Sequence, residues 1–194
     1  MPSAYYFTHT QVRVDPATPV GNWRLSDEGR ARAMRVAGAP WMARVSRVIA
    51  SSEYQVIETA HIFAERHHLP VEITPALDDS ARPPCDFLSA AEFDRTLDAF
   101  FARPQESPRA GWESAVDAQR RIAAAVELLL DGQTDAGDLL IAGQGRVGTL
   151  LYCHLAGLPV SREHFQPTDG GNLFAFDCVS RKVLFRWRTV APPL

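Results

Sequence analysis

Short apolar runs separated by helix-length segments constrain this chain more than any other feature. Residues 4–8, 45–50, 71–74 and 139–142 each read as one buried strand, the second carrying Val45, Val48 and Ile49. Parallel strands need a crossover of a dozen residues or more, usually a helix. The segments between these runs supply it. Ser26 caps a helix with Asp27 and Glu28 in its first turn, and Gly38 and Pro40 stop it near residue 37. Residues 53–67 place Val56, Ala60, Phe63 and Ala64 on one face and end at Leu69-Pro70. Ser89 and Glu92 have capping-box spacing and start a helix through residue 101. The longest helix is expected over residues 112–130, and another over 146–156, with residues 172–177 and 183–188 as a closing strand pair. Proline and glycine leave residues 11–24 and 75–88 as loops. The alternation predicts an α/β fold, a three-layer α/β/α arrangement with a mostly parallel sheet, helices on both faces and one antiparallel strand at an edge.

A length of 194 residues with 46% hydrophobic content suits one domain over 1–194, with a helical insert around 75–112. The formal net charge is -3 and the cationic residues, all arginine except Lys182, are scattered, so no nucleic-acid-binding face is indicated. Cys85, Cys153 and Cys178 are far apart and odd in number, which indicates neither a zinc site nor a disulfide framework. Reduced thiols, no signal-like N-terminus and no span-length apolar run point to a cytoplasmic protein away from membranes. No His, Asp and Glu set has metal-ligand spacing, and no cofactor motif appears.

Ligands of parallel α/β sheets bind beyond the carboxyl ends of the strands. The loops 8–25, 50–55 and 142–147 meet there, and 75–88 is placed to close over them. His9 stands at the end of the first strand. Gly143-Gln144-Gly145 turns the third central strand into a helix whose N-terminus carries Arg146 and favours anions. His154 reads as a core or partner-facing residue of that helix. Phe174, Phe176, Phe185 and Trp187 on the closing strands suit a core or a dimer edge, which leaves the oligomeric state open.

In order and spacing these segments resemble the histidine phosphatase superfamily, the phosphoglycerate-mutase-like proteins. The resemblance rests on Phe7-Thr8-His9-Thr10, Leu25-Ser26-Asp27-Glu28-Gly29, Ala50-Ser51-Ser52 through Glu58-Thr59-Ala60, and Ile141-Ala142-Gly143-Gln144-Gly145. It runs from Tyr5 to Trp187. By position it implies that His9 matches the phosphorylated histidine and Asp79, with Asp78 as rival, the acid that protonates the leaving oxygen. Thr8 stands at the first arginine, Thr10 at the glycine, Gln55 at the second arginine after a one-residue gap, and Gln144 at the second histidine. Three cationic groups are therefore absent. Arg82, Arg146 and Arg13 are the candidates to rebuild an anion site, with the Gly145 backbone beside them.

Phosphoryl transfer depends on positioning and electrostatic stabilisation. At roughly 1.5–3 kcal/mol per charge-assisted hydrogen bond, losing two arginine clamps costs about 3–6 kcal/mol, or on the order of 10²–10⁴ in rate. A mutase acting on a sugar-acid phosphate is disfavoured by the same loss. Three activities follow from the resemblance and its departures. They are a weak phosphomonoesterase acting through His9 on a small phosphorylated metabolite, an inactive pseudo-phosphatase binding a ligand or partner, and an enzyme doing acid–base chemistry on an unphosphorylated small molecule.

Overall fold

A computed structural model describes residues 1–83, 88–133 and 136–190; Cys85 and Pro84 of the long loop lie outside the described residues. Along the chain run β1 (Ser3–Thr8), β2 (Val12–Arg13), β3 (Arg24–Leu25), α1 (Asp27–Ala37), β4 (Val45–Ala50), α2 (Tyr54–His67), β5 (Val71–Ile73), α3 (Ala90–Ala102), α4 (Ala115–Asp131), β6 (Asp138–Gly143), α5 (Gly145–Ala156), β7 (Asn172–Asp177) and β8 (Val183–Thr189). Six strands form one sheet in the order β5-β4-β6-β1-β7-β8. The β4–β5, β4–β6 and β1–β6 pairs are parallel, and β7 is antiparallel to both β1 and β8.

The antiparallel strand is thus internal and not at the edge. β7 lies between β1 and β8, its six residues are all buried, and β8 takes the exposed edge with an alternating pattern. The expected loop at 11–24 also contains a short ladder, Val12 opposite Leu25 and Arg13 opposite Arg24.

Strand alternation divides the core between the two faces. Tyr6, Ile49, Leu139 and Ile141 face α3, α4 and α5, together with Phe100, Ile122 and Leu150. Phe7, Val48, Ala50, Leu140 and Ala142 face α1 and α2, together with Val36 and Phe63. The helix starts follow local chemistry. Ser26 accepts the Gly29 N–H, and Ser89 and Glu92 make the reciprocal capping box. The longest helix begins three residues later than expected, because Ser114 caps it by accepting the Asp117 N–H, while Trp112 is buried in the preceding turn.

Candidate functional site

His9 follows β1, and its ring is held at both nitrogens. Nδ1 donates to the Thr10 carbonyl oxygen at 2.7 Å, and Nε2 lies 2.9 Å from the Gln144 Oε1. Burial lowers the His9 pKa against the opposing pull of the Thr10 and Gln144 hydrogen bonds, so the neutral ring dominates. With the proton on Nδ1, Nε2 is an acceptor. The contact is then satisfied when the Gln144 amide turns its NH₂ toward the ring. In that turned orientation the Nε2 lone pair, which a phosphoryl acceptor would use, is taken up by Gln144.

The floor under this pair is set by close packing. Tyr6 is fully buried and its hydroxyl donates to the Gln144 carbonyl oxygen at 3.0 Å. A Cβ at Gly143 would lie 2.2 Å from the Tyr6 Oη, and one at Gly148 2.4 Å from Tyr6 Cε1. Both glycines make room for that ring. Gly29 lets α1 approach the chain after His9, since a Cβ there would meet the Gln11 carbonyl oxygen at 2.0 Å. Thr10 donates to the Gly29 carbonyl oxygen at 2.7 Å, so its side chain ties the same junction. Thr8 is buried in the β1–β7 seam, where its hydroxyl accepts the Asn172 N–H at 3.1 Å. Gly145 admits the Gln166 side chain, which a Cβ would meet at 2.3 Å.

A cavity of about 450 Å³ opens at this end of the sheet. Gln144 and Gln55 line it, with Glu53, Pro19, Gly21, Arg121 of α4 and the 78–83 segment including Asp78, Asp79 and Arg82. The loops read as converging do converge. Arg82 also lies over the Trp112 ring, 5.3 Å from its centroid. The Gln55 Oε1 is buried without a hydrogen-bond partner.

Arg146 does not face an open anion site. Its guanidinium binds the Asp79 carboxylate through Nε at 3.1 Å and Nη2 at 2.5 Å, with the arginine 4% exposed. It also packs against the rings of Phe93, Phe100 and Trp112. Burial would raise the Asp79 pKa, but the Arg146 charge and its hydrogen bonds outweigh this and hold Asp79 below the ordinary carboxylate value. Asp79 is therefore an ionised partner in this geometry, whereas a leaving-group acid must carry a proton. Asp78 is engaged differently. Its two oxygens accept the Ser52 N–H and Oγ–H, both at 2.6 Å.

Sequence reasoning missed two residues of this site. Glu53 stands at the N-cap of α2 and accepts the Asp79 N–H at 2.8 Å and the Ser51 hydroxyl. Burial first, and the Asp79 charge second, push its carboxyl up to about 7. Arg121 binds the carbonyl oxygens of Ala76, Asp78 and Asp79 and pairs with Glu113 at 2.8 Å, which fixes the backbone of the rim. In the sequence Glu53 only opens the helix expected over 53–67 and Arg121 lies within the one expected over 112–130; the return of the 75–83 segment across both gives them a role. His154, expected as a core or partner-facing residue, is exposed on α5. Arg13 is also exposed and is not among the cavity-lining residues.

Among known proteins, the family model described as the histidine phosphatase superfamily (branch 1) matches residues 11–178. No curated protein sequence matches. Solved structures do. A mycobacterial glucosyl-3-phosphoglycerate phosphatase in complex with inorganic phosphate superposes with a TM-score of 0.76 at 20% identity, covering 97% of this chain and 95% of that one. Bacillus stearothermophilus YhfR gives 0.79 at 18% identity over 94% of both chains. A mutant phosphoserine phosphatase from Entamoeba histolytica, in complex with phosphoserine, gives 0.75 at 14% identity over 98% of both. The shared feature at these identities is the fold.

Proposed function

Because this chain belongs to the histidine phosphatase superfamily, we propose that it uses that superfamily's strand-end pocket to bind an unphosphorylated polar small molecule, with the phosphohistidine route lost. The observation that carries this reading is the closed Arg146–Asp79 pair. The cation best placed by sequence to replace the missing arginines is buried and neutralised behind the cavity. Three carboxylates, Glu53, Asp78 and Asp79, line that cavity against Arg82 and Arg121. A phosphate dianion entering it meets three carboxylates, while Arg121 is committed to Glu113 and to backbone carbonyl oxygens. Neutral acceptors and donors on Gln55 and Gln144 suit an uncharged polar group instead.

A phosphomonoesterase is the second reading. It is favoured by the neutral His9 anchored through Nδ1 and by Glu53, which holds a proton near neutral pH as a leaving-group acid requires. Hydrolysis of p-nitrophenyl phosphate separates the two. Under the first reading the rate is the same for the wild type and His9→Ala, and millimolar vanadate leaves the melting temperature unchanged. Turnover abolished by His9→Ala establishes the second reading and overturns the first. If missing charge is the whole deficit, Gln55→Arg combined with Gln144→His creates phosphatase activity. Position 55 suits the added arginine better than position 8, because the Thr8 side chain is built into the β1–β7 seam.

A further inference from the structure

We propose that the ligand of this cavity carries a protonated amine, seated between the Glu53 carboxylate and the Gln55 side-chain oxygen. This rests on the reading of the pocket as a site for an unphosphorylated molecule and names the class of that molecule.

Around the cavity the charges other than that of Glu53 each have a charged or hydrogen-bonding partner or, for Arg82, the Trp112 ring. Asp79 is paired with Arg146, Asp78 holds both donors of Ser52, and Arg121 is divided between Glu113 and backbone carbonyls. Glu53 receives only neutral donors, the Ser51 hydroxyl and the Asp79 N–H, and among the described residues no cation makes an ion pair with it. Two positions along the same helix start, the Gln55 Oε1 is an orphaned acceptor in a residue 2% exposed. Both residues line the same cavity.

A buried carboxylate without a cation and a buried amide oxygen without a donor share one remedy. An ammonium group supplies three N–H donors and a positive charge to both. A hydroxyl would satisfy Gln55 but leave the Glu53 charge uncompensated. Phosphate would add a second anion beside it. Among the described residues, no three His, Cys, Asp or Glu side chains are grouped to hold a metal ion. The raised Glu53 pKa agrees with the geometry, since a cation bound there would return it toward its ordinary value. The other ionisable groups at the cavity are Asp78, Asp79, Arg82 and Arg121, with Arg146 behind Asp79 and His9 behind Gln144.

The test is calorimetric titration of the whole protein with propylamine, putrescine and agmatine, using 1-propanol and inorganic phosphate as controls. Titrations run at pH 6.5 and 8 in two buffers of different ionisation enthalpy. The expected result is saturable amine binding, tighter at pH 8, with release of about half a proton or more per site at pH 6.5. Glu53→Gln should weaken it at least tenfold while the melting temperature does not fall. Propanol binding without amine binding overturns the amine and leaves the unphosphorylated reading intact. Phosphate binding that His9→Ala abolishes overturns the reading beneath it. Amine binding of equal strength in the wild type and Glu53→Gln, or without proton release, overturns the role of Glu53 and with it the proposal, as does failure of every amine to bind.

Discussion

The packing beneath the His9–Gln144 pair, the floor, and the rim of the cavity obey different physical constraints. On the floor, Gly29, Gly143 and Gly148 leave space already occupied by the Gln11 backbone and the Tyr6 ring, and Ser26 caps the adjoining helix. Of these, Ser26, Gly29 and Gly143 belong to the segments that carry the superfamily resemblance, and at the two glycines any side chain collides. At the rim the contacts are between charges. Asp79 and Glu53 lie within one hydrogen bond of each other, yet one is held below its ordinary pKa and the other is pushed up to about 7. Arg146 makes the difference, since it pairs with only one of them. Packing preserves a frame residue by residue, whereas a charge can be replaced without disturbing the chain that carries it.

Removing the paired charge is the most damaging way to break this comparison. Asp79→Ala leaves the Arg146 guanidinium buried among aromatic rings with no counter-ion, which is expected to cost about 3–5 kcal/mol. Urea unfolding at pH 7 measures it. A loss under 1 kcal/mol would mean that Arg146 swings out to solvent and that the pair is not what closes the site.

The floor responds by sterics instead. Gly29→Ala places a Cβ against a backbone oxygen that no rotamer change can move, and a loss of about 3 kcal/mol is expected. Thermal and urea unfolding should agree on the size. Tolerance of alanine would show that the α1 junction shifts freely, and the frame argument would fail there.

Most of the frame was readable from the chain. The strands β1, β4 and β6, the caps at Ser26 and Ser89, and the convergence of three loops all follow from period and turn chemistry. The internal place of β7 was not readable, because an all-buried apolar strand fits the centre of a sheet or its covered edge equally well. Trp112 looked like a helix start because its apolar ring continues the helical pattern, while the hydroxyl that caps α4 comes two residues later. In the site, register points to Gln55 and Gln144, which line the cavity, and to His9, which contacts Gln144 and is not among the lining residues. Asp79 and Arg146 were singled out, but for roles that their mutual pairing alters. No sequence pattern reports that two charges 67 positions apart will neutralise each other.

The unpaired carboxylate should respond with the opposite sign. The folded-state pKa of Glu53 is raised from 4.5 to about 7. Between those values the folded state holds a proton that the unfolded state has released, so stability falls as pH rises through that window and the full penalty is present above it. Glu53→Gln is therefore expected to stabilise the protein by about 1–3 kcal/mol at pH 8 and to do nothing below pH 4. His9 contributes in the other direction: its lowered pKa costs stability as pH falls below 6.5. Unfolding measured from pH 4 to 8 should thus lose the Glu53 slope in the variant, leaving the slopes of His9 and of the carboxylates held below their ordinary pKa, Asp79 among them. An unchanged profile would mean that Glu53 is already compensated.

The smallest effect tests whether the rim is one unit or two. Asp78 is held by the N–H and the hydroxyl of Ser52, and Asp79 by Arg146. Ser52→Ala removes one charge-assisted donor and keeps the backbone one, so a loss of about 1 kcal/mol is expected. Because Asp78 and Asp79 are consecutive and Arg121 grips the carbonyls of both, the two anchors share a short piece of backbone. Coupling between them should appear in a double-mutant cycle of Ser52→Ala and Asp79→Asn followed by urea unfolding. An interaction energy of about 0.5 kcal/mol or more marks the 75–80 segment as a single element that either anchor can release. Strict additivity separates the tie to Ser52 from the ion pair, and the contrast between floor and rim then reduces to the Asp79–Arg146 pair alone.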